Sequence, residues 1–500
     1  MLRTSSYVIY VPLPNTRDEL LIVHGYTGAY DKVSARVADY LRAHEVAPPA
    51  KPLYGDWVSE PTSRGGGEAY ELSARSMESL RRRGYLTSMT PQEEEGFFAR
   101  IAKKMHRWSR ANPPSYIIMP TYSCNLRCSY CFQDHMRTNP AFQHLLRRMT
   151  EPMADRILAA MPQIERDHGI EDGDEVTRRI KFFGGEPLLA ANRPIVEYIM
   201  TRARAMGEAV FSAVSNATEL EAYDDLLGEA GIRQIQITLD GPPEEHDTRR
   251  IYADGSGSFA KIARNIDLCL DRGVKIGIRV NLDRNNIELL PRLCDVIVDR
   301  GWPERKGFSM YAAPIQASND KTDLETTFNS WELNQAIAEL RSRHESVRII
   351  GTDVDSMKVR AQKVFGGKSE LPQFRESFCG AHTGMYIFDS FGDIYACWER
   401  TGDPRIRIGR VTESGEVVME SGLHKLWRSR TVASNPTCRK CRYAMHCGGG
   451  CAVLAEAHTG TMFNNHCDAF GERFRHAVAQ AYLNRAEAAD TAVGVQVPAC

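Results

Sequence analysis

Tyr116-Ile117-Ile118-Met119-Pro120 leads, after three residues, into Cys124-Asn125-Leu126-Arg127-Cys128-Ser129-Tyr130-Cys131. An apolar, β-branched run that stops at a proline reads as a strand entering a loop. The loop carries three cysteines in the spacing CxxxCxxC. Three thiolates this close need a fourth partner to hold zinc. They can instead hold three corners of a cubane iron–sulfur cluster and leave the fourth iron open. An open iron can bind a small molecule and pass it an electron.

Composition sets the frame for this loop. Five hundred residues allow two to four domains. The formal net charge is −1, which gives no electrostatic case for nucleic acid or an anionic membrane. No run is long enough for a transmembrane helix, and the start lacks a signal peptide's basic-then-apolar order. The expectation is a cytoplasmic protein whose thirteen cysteines serve metal or catalysis rather than disulfides.

From Tyr116 to about Pro314, strand and helix signals alternate. Strands are expected at Ile117–Met119, Ile180–Phe183, Val210–Val214, Gln234–Leu239, Lys275–Val280 and Gly307–Tyr311. Helices are expected between them at Pro152–Ile164, Pro194–Met206, Leu220–Ala230 and Phe259–Arg272. Such alternation implies α/β architecture, a parallel sheet with right-handed crossovers and functional residues at the strands' carboxyl ends. Four motifs fall there. Lys181-Phe182-Phe183-Gly184-Gly185-Glu186-Pro187 lets the backbone approach a ligand and offers Glu186 to an ammonium; a plain strand-to-helix turn is the alternative. Val214-Ser215-Asn216-Ala217-Thr218 follows the third strand and could equally be a helix cap. Thr238-Leu239-Asp240-Gly241 precedes His246, Asp247 and Arg250; Asp240 is a candidate polar or proton-accepting group, and the other three are read as pinning the loop. Alternation puts Arg279 and Asn281 on one side of the fifth strand, facing ligand. Cys269 and Cys294 fall on helices and are read as inert buried thiols.

These motifs together resemble the radical S-adenosylmethionine (SAM) enzymes. The aromatic Tyr130 before the last cysteine of CxxxCxxC belongs to that likeness. The resemblance implies a partial (β/α)6 barrel and a cluster on Cys124, Cys128 and Cys131 whose open iron chelates SAM. Reduction then yields a 5′-deoxyadenosyl radical that abstracts hydrogen. It also implies SAM contacts from Tyr130, Gly184, Gly185, Glu186, Ser215, Asn216, Arg279 and Asn281, with Asp240 as the candidate catalytic group.

Seven further cysteines follow: Cys379, Cys397 with Gly392 five residues before it, then Cys438, Cys441, Cys447, Cys451 and Cys467. Met385–Phe388 and Ile394–Ala396 flank a hairpin turn. Zinc is the alternative for the CxxC core. The order resembles the SPASM extension of radical SAM enzymes that modify peptides. By that resemblance Cys438, Cys441, Cys447 and Cys467 hold an outer cluster, and Cys379, Cys397 and Cys451 an inner one. The cofactor set is then SAM and three [4Fe-4S] clusters.

Residues 1–90 read as two strands, a helix, a loop with Ser63 to Gly67, a second helix and a short strand. The layout resembles the winged-helix-like leader-recognition domains of peptide-modifying enzymes; a capping subdomain is the alternative. A bridging helix at 91–114 opens with Thr90-Pro91-Gln92-Glu93 and carries Phe97, Phe98, Ile101, Met105 and Trp108 on one face. The barrel spans 115–314, a connecting region 315–375, the SPASM-like unit 376–475, and a helix and tail 476–500. The function implied is hydrogen abstraction from a ribosomally made precursor peptide, to install a crosslink, epimerisation or backbone excision. A low-potential reductant such as flavodoxin or ferredoxin would supply the electron. An anaerobic sulfatase maturase and a non-catalytic iron–sulfur electron carrier are the alternatives.

Overall fold

A computed structural model of the chain describes residues 2–46, 71–171, 173–316, 324–365 and 372–493. The glycine-rich stretch Ser63 to Gly67 and the tail ending at Cys500 lie outside them. The strands are β1 (Arg3–Thr4), β2 (Val8–Pro12), β3 (Glu19–His24), β4 (Tyr30–Ser34), β5 (Leu86–Thr87), β6 (Ser115–Ile118), β7 (Arg178–Phe182), β8 (Ala209–Ser215), β9 (Ile232–Thr238), β10 (Lys275–Leu282), β11 (Phe308–Pro314), β12 (Met385–Phe388), β13 (Asp393–Tyr395), β14 (Arg407–Val411) and β15 (Val417–Met419).

Strands β6 to β11 pair in chain order, every neighbour parallel. Helices 151–167, 193–205, 259–271 and 290–299 run between them. Their apolar stripes, such as Ile157 and Ile164 or Ile262 and Ile266, are fully buried on the sheet's outer face. The other face is the barrel lumen. Cys269 and Cys294 sit on two of these helices with no exposure, and burial pushes both thiols up to about 12. The segment expected as helix at Leu220–Ala230 is instead a 3-10 turn at Leu220–Leu226.

The cysteine-rich end is not a detached unit. Its first strand, β12, lies parallel to β6, with Met385 opposite Ser115 and Phe388 opposite Ile118. Strands β13, β14 and β15 continue the same sheet antiparallel, giving ten strands. The open edge left by β6 is thereby covered, as an unpaired edge requires. Because β12 and β13 extend the barrel, Cys379 before them and Cys397 after them are brought to the barrel lumen.

The N-terminal unit has two strands, β1 and β4, beyond those its sequence suggests. Strands β2, β3 and β4 form an antiparallel sheet, and β1 pairs with β5. One face of the sheet packs on α1 (Ala35–Ala43) and α2 (Ala74–Arg83) through Val8, Tyr10 and Ile22. The opposite face, with Ile9, Val11 and Val23, packs on the C-terminal helix 470–493 through Phe474 and Val478, and on Phe365. Burying side chains of this size contributes about 1.5–3 kcal/mol each, so the first and last segments of the chain stabilise one another. The bridging helix α3 (Pro91–Arg110) has the expected capping box between Thr90 and Glu93. Its aromatic face is narrower than expected. Phe98 is fully buried, whereas Trp108 is 81% exposed and Phe97 is 38% exposed. Among the described residues the connecting region holds two α-helices, 330–343 and 353–365.

Candidate functional site

The loop after β6 folds against the loop after β7. Gly185 N–H donates to Thr121 O (3.1 Å) and Glu186 N–H to Ser123 O (2.8 Å). The approach leaves no room for side chains. A Cβ on Gly184 would stand 2.4 Å from Thr121 O, and one on Gly185 would stand 2.2 Å from Tyr122 O. Gly184 also has φ +140°, outside the range open to other residues. The two glycines thus hold Cys124, Cys128 and Cys131 on the wall of a cavity of about 280 Å³. Burial pushes the Cys124 thiol up to about 11 and that of Cys128 to about 12. A metal centre that takes thiolates would offset this cost.

Three groups direct N–H donors at these sulfurs. Leu126 N and Asn216 Nδ2 face Cys124 Sγ (3.4 and 3.7 Å), and Arg137 Nη2 faces Cys131 Sγ (3.1 Å). Nε and Nη1 of Arg137 are buried with no partner among the described residues. A cation that donates to Cys131, acts on Cys124 and Cys128 through its charge and keeps unspent donors fits a thiolate-bound anionic cluster.

Glu186 is 2% exposed and accepts from Leu188 N (2.9 Å), Ser215 Oγ (2.8 Å) and Asn216 N (2.6 Å). Burial nonetheless raises its carboxyl to about 7, against the lowering by those donors. Asn216 donates to Asn125 Oδ1 (2.8 Å) and accepts from Thr218 N (2.9 Å). Ala217 adopts φ +64°, so the turn after β8 is tight. The segment is therefore a turn that holds Glu186 and the cluster loop together, and no regular α-helix follows it.

Tyr130 joins the loop to the far wall. Its hydroxyl accepts from Arg250 Nη1 (2.6 Å) and Asn281 Nδ2 (3.2 Å) and donates to Asp240 Oδ2. Asn281 Oδ1 in turn accepts from Arg279 Nε (2.7 Å). Tyr130, Arg250, Arg279 and Asn281 line the cavity; Asp240 does not. Asp240 has no exposure, and its Oδ1 accepts from Asn281 N (3.2 Å). It stands behind Tyr130, where it orients the phenol rather than meeting a ligand. Arg250, read from sequence as a loop pin, reaches the cavity. His246 and Asp247 do pin the loop: His246 Nε2 contacts Ser258 Oγ (3.0 Å), and Asp247 Oδ1 accepts from Ser258 N and Phe259 N (2.7 and 2.8 Å).

Residues 118–297 match the family model of the radical SAM superfamily. They form a radical SAM domain. A cysteine-type anaerobic sulfatase-maturating enzyme from Clostridium perfringens is 22% identical over 73% of this chain and 96% of its own length. The solved structure of native anSMEcpe with bound AdoMet and Cp18Cys peptide covers 75% of this chain and 99% of its own, at 18% identity and TM-score 0.55. Streptococcus suis SuiB bound to S-adenosylmethionine covers 93% of this chain and 99% of its own, at 15% identity and TM-score 0.50. At these identities the likeness is one of fold, and SuiB's reaches further along the chain.

Beside the radical SAM domain lies a larger cavity of about 980 Å³, walled by Cys379, Cys397, Cys447, Cys451 and Cys467. Cys438 is buried, in one apolar cluster with Phe98 and Met445, and Cys441 packs against it. Gly448, Gly449 and Gly450 all have positive φ (79°, 86° and 75°) and turn the chain between Cys447 and Cys451. A Cβ on Gly450 would stand 1.8 Å from His466 O. Arg430, 3% exposed, donates to Met462 O, Gly449 O and Asn464 O, tying three loops around the cysteines. Asn465 Nδ2 donates to Cys467 Sγ (2.8 Å). Among the described residues no three Cys, His, Asp or Glu side chains gather as tightly as a single metal ion requires. The sequence reading passed over Arg137, Arg430 and the glycine triplet. Only the triplet carried a local signal.

Proposed function

We propose that the chain is a radical SAM enzyme that modifies a ribosomally made peptide. The observation that carries this is the convergence of Cys124, Cys128, Cys131, Gly184, Gly185 and Glu186 on one cavity at the carboxyl ends of barrel strands. Cys124, Cys128 and Cys131 would hold a [4Fe-4S] cluster, with Glu186 set to accept the ammonium of SAM. When bound, cluster and SAM together supply reductive cleavage to a hydrogen-abstracting 5′-deoxyadenosyl radical. Tyr130, Ser215, Asn216, Arg279 and Asn281 would orient SAM, and Asp240 would position Tyr130. Cys379, Cys397 and Cys451 would hold one auxiliary cluster, and Cys438, Cys441, Cys447 and Cys467 another. Flavodoxin or ferredoxin would deliver the electron.

The N-terminal sheet supports a leader-binding role. β4 is an edge strand, and Lys32 and Ser34 on it are exposed. An extended leader could add to that edge by main-chain hydrogen bonds. The curated relative keeps a second reading open, formylglycine formation on a peptide that needs no leader.

Anaerobically reconstituted enzyme should turn SAM over to 5′-deoxyadenosine and change the mass of a precursor peptide. Lys32→Pro or Val33→Pro, whichever removes the outward N–H of β4, should weaken leader binding roughly tenfold while leaving peptide-free SAM cleavage in place. No 5′-deoxyadenosine would exclude the enzyme reading. Equal conversion of leader-bearing and leaderless peptides would favour the sulfatase-maturase reading.

A further inference from the structure

The two cavities share a wall. Lys181 on β7, Gln236 on β9, Arg279 on β10, and Trp398 and Glu399 after Cys397 line both. In-and-out alternation along β7 turns Ile180 and Phe182 to the core and Arg179 and Lys181 to the lumen. The charge of the wall is one-sided. Strands β6 to β11 give the two cavities four cations, Arg179, Lys181, Arg233 and Arg279, and no carboxylate.

The acids nearby are engaged. Glu186 already accepts from three donors. Asp353 and Asp468 both face Arg473. Glu399 accepts from the Trp398 indole (3.3 Å). Lys181 is different. It is half-buried, and burial alone acts on its ammonium and holds its pKa down; no charged or hydrogen-bonding group among the described residues offsets that. An ammonium kept partly out of water without an anion is costly, and the cost is recovered if the ligand brings the anion.

We propose that Lys181, on the wall the two cavities share, forms a subsite for a carboxylate side chain of the substrate. The peptide then carries an aspartate or glutamate next to the residue that reacts. This rests on the radical SAM peptide-modifying reading and narrows its substrate class to acidic core sequences. A neutral or basic residue at that position would leave Lys181 unpaired, so the subsite discriminates as well as binds.

The test uses reconstituted holoenzyme with SAM present throughout, so that SAM's own carboxylate cannot stand in for the substrate's. Three N-acetylated, amidated pentapeptides differing only in a central Glu, Gln or Lys are compared by equilibrium dialysis. The Glu peptide should bind roughly tenfold tighter than the Gln peptide. Lys181→Arg should keep that preference. Lys181→Gln should reduce it to about threefold or less, and Lys181→Glu should favour the Lys peptide instead. If wild-type enzyme shows no preference for the Glu peptide, or if neither Lys181→Gln nor Lys181→Glu moves that preference, the subsite is refuted and the cations serve to balance cluster charge. Formation of 5′-deoxyadenosine by the same wild-type preparation separates the two levels. Its absence counts against the enzyme reading, whereas its presence without a Glu preference counts against the subsite alone.

Discussion

A guanidinium stands beside each set of cysteines, and the two act differently. Arg137 donates straight to a sulfur, Cys131 Sγ, and keeps two further donors unspent among the described residues. Arg430 spends its donors on the carbonyls of Met462, Gly449 and Asn464. The difference follows from how each loop is held. The first loop is fixed by the glycine pair Gly184-Gly185, the strand ends and its own Arg127, which donates to Cys124 O and Leu126 O (2.8 and 2.9 Å), leaving Arg137 free to act on charge. The second set is carried by short helices and the left-handed turn Gly448 to Gly450. Its donors are spent on architecture, though its charge still reaches Cys379, Cys438, Cys447 and Cys451. A structural arginine and a tuning arginine can therefore be told apart by whether their donors end on oxygen or on sulfur.

Four experiments can break or sharpen that contrast. Replacing Cys124, Cys128 and Cys131 together by Ala should abolish 5′-deoxyadenosine formation. Iron should fall from about twelve to about eight per chain, as expected for three cubane clusters losing one. Iron analysis and SAM turnover under anaerobic reduction check this, and turnover by the triple variant would remove the cluster assignment.

Arg430→Met should orphan three buried carbonyls at about 1–3 kcal/mol each. The reconstituted variant should hold about four irons, the radical-domain cluster alone, and its melting temperature should drop. Full iron content would show that Arg430 is not the clamp.

Glu186→Gln should weaken SAM binding by at least about tenfold, or ~1.4 kcal/mol. Wild-type affinity should also fall as pH drops below about 7. The reason is the sign of the shift: burial raises the carboxyl, so below that pH a proton occupies it and must leave before an ammonium is accepted. A calorimetric series should slope in the wild type and lie flat in the variant.

Arg137→Gln should leave iron content unchanged and lower the potential of the radical-domain cluster by about 60 mV, roughly a tenfold change in the reduced fraction for one electron. An EPR-monitored titration checks it. Loss of iron in this variant would make Arg137 a clamp like Arg430 and erase the distinction.

Much of the site was legible because its signals are local. CxxxCxxC, the glycine pair before Glu186 and the polar pair Arg279 and Asn281 each lie within a few residues, and strand alternation alone turns Arg279 and Asn281 to one side. The misreadings share another cause. Trp108 was placed on the buried face of α3 by spacing, yet the face that packs runs through Phe98, Ala102 and Ser109 and leaves Trp108 to solvent. Glu94, in the first turn of the same helix, carries no local signal of its environment. It is in fact fully buried, accepting from Arg3 (2.7 Å), Ser5 and Ser6. Its partners lie nearly ninety residues away, and no window of sequence contains them.

The sequence by itself determined which atoms the chemistry has available: thiols in fixed spacing, a carboxylate behind two glycines, and parallel strands to present them. Those are properties of short segments, set by backbone sterics and periodicity. Only the tertiary structure decided which of them meet. It put Asp240 behind Tyr130 instead of in the cavity, brought Arg250 forward to its wall, and left Lys181 without an anion among the described residues. It also joined β12 to β6, carrying the second set of cysteines to the barrel's open side. Burial and pairing are sums over neighbours distant in the chain, and charge in a cavity has meaning only once every wall is in place.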